Sequence, residues 1–159
     1  ALKQKTVLDV ALYNTGDQLK NVKVNGQLIE LSNALNVTES SGVITSQGSG
    51  AWNTSGFSAK NIMSEGEDCS AEYEVVQTDG FVMFGISYED VDYNFTTIKW
   101  GIYARNNANL YPITDGVQGG SIGSYSVGDI LKIQIKGDTA YLLKNGVILY
   151  ELSLKVGLI

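Results

Sequence analysis

The densest group of chemically useful side chains in this sequence is Glu89-Asp90-Val91-Asp92, with Asn94 two residues on. Two carboxylates flanking a scissile bond are what glycoside hydrolysis needs, one as the acid and one as nucleophile or base. On an extended strand Asp90 and Asp92 share one face. Hard cations take several oxygen ligands, so Glu89, Asp90, Asp92 and Asn94 also have the chemistry of a calcium site, although their spacing is not that of an EF-hand loop. Glu72 and Glu74 form a second pair, but they alternate with Tyr73 and Val75. That alternation reads as a strand with its apolar residues inward and its glutamates in solvent. Residues 89–94 lie between the apolar runs 81–87 and 98–105, and read as a solvated acidic loop rather than a catalytic dyad.

Other chemistries are removed by composition. The chain has no histidine, which takes away the commonest general base, the usual zinc ligand and the physiological pH switch together. Cys69 is the only cysteine, so neither an internal disulfide nor a cysteine cluster can form, and it reads as a small hydrophobe before a strand. Without histidine, the serines cannot form the usual activated triad. The glycines of residues 116–121 do not follow a strand and open a helix, so they are not a phosphate-cradling loop. A net charge of −6 argues against nucleic acid, whose binding depends on neutralising phosphates, and against an anionic membrane surface. No apolar run approaches the length of a membrane span, and no signal peptide is visible.

The aromatic residues are the better material, with 2 Trp, 9 Tyr and 4 Phe. Sugar rings present apolar C–H faces that stack on aromatic rings, while amides, carboxylates and guanidinium groups bond the hydroxyls; an aromatic ring supplies large contact area at low entropy cost. Trp52 lies in a segment rich in Gly, Ser and Asn, where exposure is expected. In residues 98–105 one face carries Ile98, Trp100, Ile102 and Ala104, and reads as core. The other carries Lys99, Gly101, Tyr103 and Arg105, and Asn106, Asn107, Asn109 and Tyr111 follow. The candidate ligand-binding set is therefore Trp52, Tyr103 and Tyr111 for stacking, with Arg105, Asn106, Asn107 and Asp92 for polar contacts.

The elements that must position these residues are strands. A chain of 159 residues suits one domain with a sizeable core. Eighteen glycines against one proline suit short strands joined by tight turns. Strand patterns fall at 6–13, 21–24, 27–31, 35–38, 42–45, 69–77, 81–87, 98–105 and 110–113. Three more lie within 124–150, and 152–159 is a further candidate. Asn25-Gly26 and Asn145-Gly146 are strong hairpin signals, because both central residues of the favoured turn need φ > 0. The best helical candidate is 58–65, at most one or two turns. About a dozen short strands at this spacing predict an all-β fold of two packed antiparallel sheets, since one sheet so large could not bury a face alone. Residues 1–32 look less tied to the rest, as edge strands or the end of a preceding module.

From about residue 35 to 150 the pattern carries further marks. They are Ser49-Gly50-Ala51-Trp52-Asn53, Phe81-Val82-Met83-Phe84-Gly85-Ile86-Ser87, Ile98-Lys99-Trp100-Gly101-Ile102-Tyr103 and Gly123-Ser124-Tyr125. Val127-Gly128-Asp129-Ile130-Leu131-Lys132-Ile133 and Tyr141-Leu142-Leu143-Lys144-Asn145-Gly146-Val147 complete them. In this order they resemble the concanavalin A-like (lectin/glucanase) jelly-roll group, with features shared by SPRY-like and laminin G-like sandwiches. The resemblance implies a jelly-roll β-sandwich of the kind found in extracellular enzymes, adhesins and phage fibres, often binding glycans. Glucanases of that group carry a third acid three residues after the second of the catalytic pair; Phe95 stands there, so the hydrolytic motif is not met. The expectation is a single domain over 1–159, with its family-like core at 35–152, acting as a non-catalytic carbohydrate-binding module. Its ligand would be a glycan or polysaccharide, with no cofactor unless calcium binds at 89–94. It would belong to a larger extracellular, cell-surface or virion protein, the chain beginning at Ala1 rather than Met. The alternative expectation is a structural or host-attachment domain of a phage fibre or bacterial adhesin, there as a homo-oligomer.

Overall fold

In the computed structural model, residues 6–63, 68–88 and 95–154 are described. Their strands, in chain order, are β1 (Thr6–Leu12), β2 (Thr15–Val24), β3 (Gln27–Leu28), β4 (Leu31–Leu35), β5 (Val37–Ser40), β6 (Val43–Gln47), β7 (Ser55–Met63) and β8 (Cys69–Val75). Then come β9 (Val82–Ser87), β10 (Trp100–Ala104), β11 (Asn109–Thr114), β12 (Val117–Gln118), β13 (Gly123–Ser124), β14 (Ile130–Lys136), β15 (Thr139–Lys144) and β16 (Val147–Ser153). A 3-10 turn at Phe95–Thr97 precedes β10. The strands make two eight-stranded sheets. The front sheet runs β12-β11-β10-β9-β1-β7-β4, with β13 on β11; the back sheet runs β16-β15-β14-β8-β2-β6-β5, with β3 on β2. The protein is an all-β antiparallel two-sheet sandwich.

The period-2 pattern decides which side chains meet between the sheets. In β8, Cys69, Ala71, Tyr73 and Val75 are buried and alternate with half-buried Ser70, Glu72 and Glu74. In β14, Leu131, Ile133 and Ile135 point inward. From the front sheet, Leu8, Val10 and Leu12 of β1, Phe84 and Ile86 of β9, and Trp100 and Ile102 of β10 join the same core. Tyr73 and Phe84 meet across it with ring centroids 4.8 Å apart. Trp100 is 1% exposed, the core position that alternation assigns it. The hairpin signals are real turns, with Asn25 and Gly26 at φ 51° and 78°, and Asn145 and Gly146 at φ 51° and 80°.

Three expectations are corrected. Residues 58–63, the described part of the helical candidate 58–65, are not a helix, because Ser55–Met63 is strand β7, paired with β1 and β4 and burying Phe57 and Ala59. Its local pattern is ambiguous, and the pairing partners decide it. Within 1–32, β3 and the start of β4 do lie at sheet edges, but β1 and β2 do not. β1 lies between β9 and β7, and β2 lies between β8 and β6. The alternation of β2 is hidden by a register shift between Lys20 and Lys23, where Asn21 adopts φ 50°. Asp17, Leu19, Val22 and Val24 are nonetheless all buried. Residues 152 and 153 belong to β16 and are not a separate strand.

Candidate functional site

The front sheet is buried on both faces at its centre; every residue of β9 and β10 is buried. Register explains how. Ala11 pairs with Met83, Met83 with Tyr103, and Tyr103 with Tyr111, which makes one row across the outer face. The next row is Asp9, Gly85, Gly101 and Ile113. Its two glycines leave a furrow in which Ile98 lies. A Cβ on Gly85 would stand 2.5 Å from Ile98 Cγ2 and 2.4 Å from the Trp100 carbonyl. Ala11, Met83, Ile98, Tyr103 and Ile113 thus form a second small core, with Trp52, Phe81 and Tyr111 packed against it.

At the end of this face, where β1 leaves the sheet, five rings form one wall. Tyr13 meets Trp52 edge-on at 4.9 Å between centroids and Phe81 at 4.9 Å. Tyr103 lies 6.0 Å from Trp52, 6.5 Å from Phe81 and 6.2 Å from Tyr111. The Arg105 guanidinium caps the far end, 5.8 Å from the Tyr103 ring centre and 5.6 Å from that of Tyr111, within cation–π reach. Asn107 Nδ2 donates to the Tyr111 hydroxyl at 2.8 Å. The loop that presents Trp52 is tied down. Gly50 N donates to the Tyr13 carbonyl (2.9 Å), Thr54 Oγ1 to the Ala51 carbonyl (2.7 Å) and Asn36 Nδ2 to the Thr54 carbonyl (2.8 Å).

Beside this wall the turns between strands enclose an open polar concavity of about 590 Å³, lined by residues 14–17, 48–50, Gln77 and Asp79. Asp17, 2% exposed, stands at its base. Its Oδ2 accepts from Asn14 N (2.7 Å) and Tyr13 N (3.1 Å), and the carboxylate also accepts from the Phe81 backbone N–H. Burial pushes the Asp17 pKa up; the three backbone donors pull against it, and Asp79 adds to the rise. Gln77 Nε2 donates to Asp79 Oδ1 at 3.1 Å. Gln77 Oε1 and Arg105 Nε are enclosed with no hydrogen-bond partner among the described residues, an uncommon condition for buried polar atoms. Burial pushes the Tyr103 phenol up to about 12, with Arg105 opposing and Asp17 adding to it.

Trp52, Tyr103, Arg105, Asn107 and Tyr111 therefore converge at one end of the sandwich, and Asn106 sits exposed at the tip of the β10–β11 turn beside them. Tyr103 departs from expectation. It is 5% exposed, because Trp52, Phe81 and Tyr111 close over it, so it is the floor of the wall and not an open platform. Asp92, together with Glu89, Asp90 and Asn94, lies outside the described residues. Sequence reasoning missed Tyr13, Phe81, Asp17, Gln77 and Asp79. Strand parity carried a signal for two of them, since Tyr13 follows Ala11 by two residues and Phe81 precedes Met83 by two. The concavity had none, because its walls come from three separate turns. Among the described residues no group of three or more acidic, histidine or cysteine side chains is placed to hold a metal ion. No helix among them is long and apolar enough to cross a membrane. Comparison with known proteins finds no family model, no curated relative and no solved structure that matches this chain.

Proposed function

We propose that this domain is a non-catalytic carbohydrate-recognition module, holding a glycan across the concavity and against the aromatic wall. One observation carries the reading: half-buried Tyr13 and Trp52 stand directly beside a polar concavity lined by amide, hydroxyl and carboxylate groups. Stacking of a sugar C–H face on Trp52 or Tyr13 would supply area, and Asn14, Gln77 and Asp79 would bond hydroxyls. Arg105, Asn106 and Asn107 extend the polar rim beyond Tyr111. The buried Asp17 carboxylate is held by backbone donors and orders the turn, which suits a scaffold role better than proton transfer. The resemblance to concanavalin A-like jelly rolls points the same way, and with it an extracellular, cell-surface or virion setting. Affinity electrophoresis through gels carrying different polysaccharides tests the proposal. At least one polymer retards the wild type, and Trp52→Ala weakens that binding about tenfold or more, the loss of roughly 1.4 kcal/mol of stacking. Retardation by none of the polymers, or equal retardation of both proteins, would refute it.

A second reading, a structural or host-attachment domain of a fibre or adhesin, is favoured by the sheet edges. Val147, Ile148 and Tyr150 on edge strand β16 are 62%, 51% and 40% exposed, and Val117 on edge strand β12 is 68% exposed. Apolar edges of this kind invite lateral strand pairing.

A further inference from the structure

The charge of the concavity narrows what it can hold. Asp17 and Asp79 both line it, and no lysine or arginine does. The Asp79 charge adds to the burial that raises the Asp17 carboxyl. Arg105, the nearest cation to the wall, is committed to the far side, over Tyr103 and Tyr111. Lys20 pairs with Glu74 and Lys144 donates to the Ser124 carbonyl, so neither is turned to the concavity. A ligand group seated there meets two carboxylates, and no described lysine or arginine lines the concavity to offset them. Hydroxyl and ammonium donors suit such a place; a further carboxylate or sulfate does not.

Resting on the carbohydrate reading, we infer that the concavity selects neutral or amino-bearing sugars and rejects uronate and sulfated glycans, with Asp79 as the residue that sets this preference. Asp79 is exposed and, among the described residues, hydrogen-bonded through Gln77, so its charge can be altered without removing the aromatic wall. The test compares binding to three soluble polymers, a neutral β-glucan, a partly deacetylated chitin and a polygalacturonate, for wild type and Asp79→Lys at low salt. The expected result is binding to the glucan or the amino-sugar polymer at least roughly tenfold tighter than to the uronate, the scale of one close like-charge contact. The lysine variant should narrow that ratio about tenfold, and added salt should narrow it in the wild type, because exposed charges are screened. Uronate bound by the wild type as tightly as the others, or a ratio unmoved in the variant, would overturn the inference and leave the carbohydrate reading standing. If none of a broad set of polymers binds, the carbohydrate reading falls and this inference with it.

Discussion

Asp17 and Tyr103 set the local chemistry at the loop end of the sandwich, and each makes a prediction of its own. Asp17 satisfies three backbone N–H groups in the turn between β1 and β2 and at the start of β9. Truncation takes the partner from three donors, so Asp17→Ala should lower stability by about 3 kcal/mol in urea titration, the low end of roughly 1–3 kcal/mol for each, because the open concavity lets water reach them. Tyr103 makes a pH prediction. Burial raises its phenol to about 12, so the folded state favours the neutral form relative to the unfolded chain. The corresponding stability is complete below the ordinary value near 10 and is lost as pH rises from there through about 12. Urea midpoints should therefore fall over that window, and Tyr103→Phe should fall less than the wild type. Tyr125, raised in the same direction by burial, loses its contribution on the same alkaline side. At this scale the sequence grouped Trp52, Tyr103, Arg105, Asn107 and Tyr111, and the fold brings these five side chains together. It could not show that Tyr103 would be covered, because two of the three covering rings, Trp52 and Phe81, come from segments well removed in the chain.

Among the elements, the furrow in the front sheet and the last hairpin carry clear local constraints. Gly85 and Gly101 pair across β9 and β10, and Ile98 fills the space their missing side chains leave. Gly85→Ala should destabilise by about 1–3 kcal/mol through overpacking. Adding Ile98→Ala should not restore wild-type stability, since the Trp100 carbonyl still meets the new methyl group. In the last hairpin, Asn145 does more than form the turn. Its Oδ1 accepts from Ile130 N at 2.8 Å and its Nδ2 donates to Asp129 Oδ1 at 2.9 Å, binding the β15–β16 turn to the start of β14. Hairpins of this kind were legible from the Asn-Gly pairs because the turn chemistry is local. Strand β7 was not, because its identity depends on β1 and β4, which lie far from it in sequence.

For the molecule as a whole, the two sheets divide the work. The back sheet buries one face, with clean alternation in β8 and β14; the front sheet is covered twice, and its outer cover is the aromatic wall. The apolar residues on β16 make a prediction about association. If that edge pairs between copies, sedimentation should show a concentration-dependent mass that Ile148→Lys reduces to the monomer, since an edge charge blocks strand addition. A monomeric wild type at all concentrations would remove the assembly reading. The sequence alone determined the fold class, because period-2 burial and turn residues act over a few positions, and it excluded histidine-based catalysis by composition. Only the tertiary structure decided that β1 and β2 lie inside their sheets, that Tyr13 and Phe81 join Trp52, and that Asp17, Gln77 and Asp79 line one concavity. Those relations arise from cross-strand register and from the meeting of separate turns, and no local pattern along the chain encodes either.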